Sequence, residues 1–325
     1  MSDTTELRRG GAATPLLTAV APEAADASAP VAAPSTRMSR RDYWLRRLWK
    51  LRLGVFGGLI VLAMCLVAIL APVIAPYDPL KQDLGARLVP PVWYQGGSWA
   101  HPLGTDRVGR DTLSRLMWGA RISLATGALA TILSLVIGVV LGILAGYYGG
   151  LVDSIVNGLV NLWLAFPFIL LALAIVAVLG PSFTNMIVAL GLTTWPIFTR
   201  VVRSEVLRAR RQDYVTAATM LGARDTRIMG RHIFPMLINS VIVLGSLEVA
   251  RLILLESFLS FLGLGVQAPE ASWGNMLAEA RQYILQMWWL VTLPGLALFV
   301  TTLGINVCGD ALRDLLDPRL KNIQD

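Results

Sequence analysis

Charge is scarce in this chain: 15% of its 325 residues are Asp, Glu, Lys or Arg, against ~25% in an ordinary soluble domain. Histidine and cysteine are scarcer still, with two of each. His101 has no second His or Cys near it, and Cys65 and Cys308 sit in apolar stretches outside any CxxC, so neither a metal site nor a disulfide is expected. Free cysteine in such a setting behaves as a small hydrophobe. There is no GxxxxGK[ST] phosphate loop, no HExxH, no GxSxG and no acidic metal cluster. These absences exclude the P-loop way of holding ATP and the usual hydrolase machineries. The chain is therefore expected to carry no catalytic residue, metal or cofactor of its own.

What is abundant is apolar sequence. Hydrophobic residues make up 55% of the chain, and the mean hydropathy is +0.62. They gather into stretches of about 20 residues, the length that crosses a ~30 Å hydrocarbon layer as a helix. The expected fold is an all-α polytopic membrane protein with six spans, at 53–75, 122–146, 155–179, 183–202, 235–262 and 288–308. Residues 1–40, rich in Ala, Pro, Ser and Thr, are expected to form a disordered cytoplasmic tail and not a secretory signal. Residues 41–310 form the membrane domain, and 311–325 a second cytoplasmic tail.

A net charge of +7 and a pI of 9.8 raise the question of nucleic acid. The cations flank the apolar runs, however, which is how topology is written. The expected partner is the lipid bilayer, with no nucleic acid. The connection between the fourth and fifth spans holds Arg200, Arg203, Arg208, Arg210, Arg211, Arg224, Arg227 and Arg231 against Glu205, Asp213 and Asp225. An even number of spans with this loop inside puts both termini in the cytoplasm. The stretch Arg40, Arg41, Trp44, Arg46, Arg47, Trp49, Lys50 and Arg52 is read as an interfacial anchor before the first span, or as a polybasic partner-binding helix.

Inside the spans, Gly138, Gly142 and Gly146 recur every four residues and line one helix face with hydrogens. Either plain packing or a sliding interface fits that spacing. Pro167 and Pro196 are expected to kink the third and fourth spans. Glu248 and Arg251 lie three residues apart on one face of the fifth span, with Glu256 further along. Charges at that depth face a bundle interior or a wet cavity. Two readings stay open: this face lines a translocation path, or the pair neutralises itself against a neighbour. On the outer side, Trp273, Trp288 and Trp289 with Tyr283 read as an interfacial belt or an external contact surface. Asp106, Arg107, Arg110 and Asp111 read as a locally bridged turn, with His101 shaping the approach to Gly104 and Gly109.

The cytoplasmic loop 204–234 is too polar to span and too patterned to be a linker. Asp213 is expected to cap a helix of about two turns that ends at Gly222. Leu207, Tyr214, Ala218 and Leu221 are spaced to share a stripe, and Ala217, Ala218 and Gly222 keep the helix thin. Asp225 is expected to cap a second short helix leading to Pro235. Such an element either seats in a groove of another protein or lies on the bilayer.

Ala217-Ala218, Gly222, Ile228 and Ile233-Phe234-Pro235 resemble the EAA loop of ABC importer permeases, with Thr216 where the pattern has its Glu. HPLGTDRVGRDTLSRLMWGARISL (101–124), SFLSFLGLGVQAPEASWGNML (257–277) and GDALRDLLDPRL (309–320) are similar to the C-type subunits of dipeptide, oligopeptide and nickel permeases. The resemblance runs from about Tyr43 to Leu320. It implies a type I ABC importer permease fold in the bacterial inner membrane, with no catalysis of its own. It implies a homologous B-type permease as partner in a heterodimer, two cytoplasmic subunits that bind ATP and Mg, and an extracytoplasmic solute-binding protein. The ATPase-coupling residues would be Asp213, Tyr214, Ala217, Ala218, Leu221 and Gly222, and the path candidates Glu248, Arg251 and Glu256. Short peptides would be the cargo, with nickel chelates and glutathione open. The alternative is a secondary transporter or channel without ATPase partners, though no internal repeat supports it.

Overall fold

The computed structural model describes residues 40–267 and 270–316, with side chains from residue 52 onward. The N-terminal tail before Arg40, the end of the C-terminal tail and the side chains of the basic, tryptophan-rich stretch before Arg52 lie outside the described residues. The chain divides between Trp44 and Leu45, and the membrane domain belongs to the second unit. Among the described residues there is no β-strand.

The long helices are α1 (Arg40–Ile74), α2 (Thr112–Tyr148), α5 (Phe183–Ala209), α8 (Phe234–Phe261) and α10 (Trp289–Leu316). Shorter ones are α3 (Gly150–Leu164), α4 (Phe168–Leu179), α6 (Asp213–Met220), the three-residue α7 (Asp225–Arg227) and α9 (Trp273–Ala280). Side-chain caps start several of them. Asp111 accepts the Ser114 N–H at 2.8 Å before α2, Ser182 that of Asn185 at 3.1 Å before α5, and Ser272 that of Asn275 at 3.2 Å before α9. Five helices are long and apolar enough to cross a membrane, and six spans result if α3 and α4 count as one.

That pair departs from the expected continuous span over 155–179. α3 and α4 meet at 87°, a break rather than a kink. Pro167 lacks an N–H and disfavours helical geometry at Phe166, and its own backbone is extended (φ −56, ψ 125). Pro196 carries the same chemistry, yet α5 runs through it unbroken. The surroundings account for the difference. Trp195, Pro196 and Phe198 are buried in packed surroundings, whereas Leu164, Phe166 and Ile169 are exposed. α10 continues to Leu316, into the segment expected to be tail.

α2 is the axis of the bundle. Its Gly138, Gly142 and Gly146 face Phe198, Val202 and Val206 of α5, and a Cβ placed on Gly142 or Gly146 would stand 2.8 Å from the Val202 or Val206 Cβ. The two backbones are in contact because those three positions carry no side chain. At one end of the bundle Val139, Tyr147, Val202, Val206 and Leu237 join Val215, Ile228 and Ile233 of the 210–233 segment in one apolar cluster. At the other end Ala120, Ile253, Trp273 and Met276 form a second. Trp273 is thus core, with its indole N–H donated to the Leu116 carbonyl at 3.0 Å, and Trp289 is buried in a separate cluster with Ala280 and Leu290. Of the three tryptophans read as a belt, Trp288 alone is exposed.

The packing makes a testable prediction. Gly142→Leu overfills the α2–α5 contact and is expected to destabilise the domain by about 1–3 kcal/mol. The exposed Gly158→Leu, with open space around its Cβ position, should leave melting of the detergent-solubilised protein unchanged.

Candidate functional site

The 210–233 segment leaves α5 through a turn of three residues and rises into α6. Asp213 does not cap this helix. Gln212 holds the N-cap position without a side-chain bond, and Asp213 is the first helical residue, where a carboxylate suits the positive end of the helix dipole. The other end follows from Gly222, whose φ of +74 is a conformation other residues resist. There the Ala223 N–H reaches the Ala218 carbonyl at 3.1 Å and the Gly222 N–H that of Thr219 at 3.0 Å, the paired bonds of a Schellman stop. Asp225 likewise opens α7 without capping it, and Ile228–Ile233 continues as a π-helix into α8.

One buried side chain, Val215, pins α6 to the bundle. The rest of its apolar surface faces outward: Tyr214 is 44%, Met220 84% and Leu221 87% exposed, and Ala217 is exposed beside them. Ala218 is half-buried. Sequence spacing alone missed Val215 and Met220, because a two-turn helix apolar on all sides does not announce which side docks. The same 210–233 segment carries exposed Arg211, Arg224, Arg227 and Arg231. The Tyr214 hydroxyl meets the Met236 sulfur.

The three acid and base candidates in α8 separate. Arg251 donates through Nε to Glu248 at 2.8 Å and its guanidinium lies 5.0 Å over the Phe168 ring, beside the α3–α4 break. Its side chain is 40% exposed and that of Glu248 only 9%. Glu256 stands about 12 Å further along the helix, fully buried. It accepts hydrogen bonds from Ser123 (3.0 Å), Ser257 (3.2 Å) and Ser260 (2.7 Å) and ties α2 to α8. Arg251 thus reaches an open face, Glu248 lies buried behind it, and Glu256 is enclosed altogether.

At the same end as α9, a buried charge cluster joins three parts of the chain. Asp106 accepts from Arg110 at 2.6 Å and Arg115 at 2.5 Å, and Glu279 accepts from the same two arginines at 2.6 and 2.7 Å. The local turn expected from Asp106 and Arg110 exists, but Arg115 of α2 and Glu279 of α9 complete it. No spacing could have shown Glu279, which is 169 residues from Arg110. Asp111 turns instead to the α2 cap and to His101 Nδ1 at 3.0 Å, with His101 stacked on Tyr77. Burial works to raise both carboxyls of the cluster. For Asp106 the Arg115 and Arg110 charges and two backbone N–H donors overcome it, and for Glu279 the bonds and charges of the same arginines, so both lie below the ordinary range.

A helical membrane domain that ends in a thin, externally bare helix is the architecture of an ABC importer permease. A solved structure of the MetNI methionine ABC transporter in inward-facing conformations has the same fold, with a TM-score of 0.52 at 18% identity, over 62% of this chain and 96% of that one. The chain belongs to the binding-protein-dependent transport system inner membrane components, whose family model matches residues 138–322. Residues 39–91 match the N-terminal TM domain of oligopeptide transport permease C. The dipeptide transport system permease protein DppC of Escherichia coli (strain K12) is 47% identical over 90% of this chain and 97% of its own length. The di/tripeptide transport system permease protein DppC of Pseudomonas aeruginosa (strain UCBPP-PA14) is 42% identical over 83% and 89%. The glutathione transport system permease protein GsiD of Pectobacterium atrosepticum is 40% identical over 89% and 94%. The chain is a non-catalytic membrane subunit of a transporter of this kind.

The charge cluster sets a pH dependence. Carboxyls held below their free values of 3.8 for Asp106 and 4.5 for Glu279 stabilise the fold at any pH above those values. That stabilisation is lost as pH falls through the lower folded-state values. Melting temperature should therefore drop as pH falls below about 4.5, and Glu279→Gln should start lower at neutral pH and fall less in acid.

Proposed function

We propose that this subunit forms half of a translocation path for di- and tripeptides and takes its power from ATP hydrolysed on separate subunits that dock on α6. The observation that carries the reading is the bare apolar face of Tyr214, Ala217, Met220 and Leu221 on a helix held by a single buried valine. A two-turn helix buries too little surface to persist at its own expense. A groove on a partner is what this face lacks, and the arginines around it suit an acidic rim. The coupling set from the sequence, Asp213, Tyr214, Ala217, Ala218, Leu221 and Gly222, gains Met220.

The peptide cargo is supported by the names of the relatives, which describe dipeptide, di/tripeptide and glutathione systems. A homologous B-type permease would complete the path, two cytoplasmic subunits would bind ATP and Mg, and a solute-binding protein would deliver cargo from outside. The arginine-rich loop then lies in the cytoplasm with both termini. Nucleotide binding favours one of two states of the paired domain and so alternates access. Glu248 and Arg251 face the path, and Glu256 holds the helix that presents them. The serine ladder around Glu256 joins α8 to α2 and fixes the rotation of α8.

Two outcomes check this reading. Met220→Asp with Leu221→Asp places charges on exposed positions, where folding is unaffected. Purified with its neighbouring gene products, the variant should keep the second permease and lose the ATPase subunits. Retention of the ATPases would move the docking site elsewhere. Glu248→Gln should lower ATP-driven dipeptide uptake in proteoliposomes while the yield of assembled complex stays constant. A fall in yield with normal uptake would make the pair a packing device.

A further inference from the structure

We propose that Tyr147 and Asp225 form a latch that carries movement of the docking helix into α2, making them positioning residues for the coupling of ATP hydrolysis to transport. The inference rests on the docking reading of α6.

The chain itself joins α6 to two spans only. Arg210–Gln212 connect it to α5, and residues 221–233 connect it to α8. α2 has no covalent link to this segment, yet it is the helix along which α5 lies through the glycine stripe. A second route from α6 to α2 exists, and it is a side-chain contact. The Tyr147 hydroxyl, in the last turn of α2, donates to Asp225 Oδ1 at 2.7 Å across 78 residues of sequence. Asp225 is the first residue of α7, at the pivot between α6 and the π-helix.

The surroundings make this contact more than incidental. Arg224, Arg227 and Arg231 lie within six residues of Asp225, and an exposed carboxylate among arginines ordinarily pairs with one. No such ion pair forms among the described residues, and the carboxylate turns to a hydroxyl on another helix. The ring is clamped as well. It is 9% exposed within the cluster that holds Val215, Ile228 and Ile233, the Arg210 guanidinium stands 5.7 Å over it, and Tyr148 meets it edge-on at 5.3 Å. Tyr147 therefore touches the end of α5 through Arg210, the pivot through Asp225, and the α6 anchor through the shared cluster. A hydroxyl-to-carboxylate bond is short and directional, so the pivot cannot swing without either carrying α2 along or breaking it.

The test uses the whole transporter in proteoliposomes and reads ATP hydrolysed per dipeptide accumulated. Tyr147→Phe keeps the ring and its packing but removes the donor, and Asp225→Ala removes the acceptor. Losing one charge-assisted hydrogen bond shifts a latched-to-unlatched equilibrium by on the order of tenfold. Both variants should raise the ratio several-fold while the ATPase subunits co-purify in unchanged amount. Asp225→Asn keeps an acceptor oxygen and should restore most of the coupling. The double variant Tyr147→Phe with Asp225→Ala should be no worse than either single one. An unchanged ratio in Tyr147→Phe overturns the latch alone, provided the native complex couples. Loss of the ATPase subunits from Tyr147→Phe also overturns it, because the bond would then merely shape the docking surface. A native complex that binds no ATPase overturns the docking reading, and the latch falls with it.

Discussion

Everything in this domain is referred to the contact between α2 and α5, where three glycines let two backbones touch. In lipid, helices gain little by hiding apolar surface from water, because the surrounding tails are equally apolar. Association must come from close van der Waals contact, and Gly138, Gly142 and Gly146 provide it against Phe198, Val202 and Val206. α5, packed along that seam, continues unbroken through Pro196, whereas the less buried α3–α4 pair breaks at Pro167. The seam also brings the ends of α2 and α5 together, and the cluster that receives Val215 of α6 lies where they meet.

Polar groups show the same economy of placement. Each charge taken out of water is met by a partner: Glu256 by three serines, Asp106 and Glu279 by the same two arginines, and Glu248 by Arg251. The first two clusters are buried and join separate helices, so they act as rivets that hold α2, α8 and α9 in one arrangement. The third is different. Its arginine is open on one side and stacks on Phe168 at the break in the α3–α4 span.

The docking segment has little stability of its own and borrows what it needs. Val215, Ile228 and Ile233 tie it to the bundle, Tyr147 ties it to α2, and a Schellman stop ends α6 before it can grow into a longer helix. The result is a short helix with an exposed apolar face, anchored to the bundle at several points.

Much of this was legible in the residues. The number and place of the apolar runs, the arginine-rich loop, Gly222 as a helix stop and the glycine stripe follow from hydrophobic period, from charge and from the conformational freedom of one residue type. These are local properties, written within a turn or two of chain, and so the sequence by itself determined the architecture and the place of α6. Partner choice was not local. Which face of α6 is left exposed, why Trp273 is core and not a membrane belt, how Glu279 closes a cluster begun at Asp106, and that Glu256 is locked while Arg251 is open were decided only by tertiary structure. The same proline chemistry broke one span and spared another because burial differed. Contacts between residues dozens to hundreds of positions apart depend on how helices are rotated against one another, and no spacing along a single chain encodes that rotation.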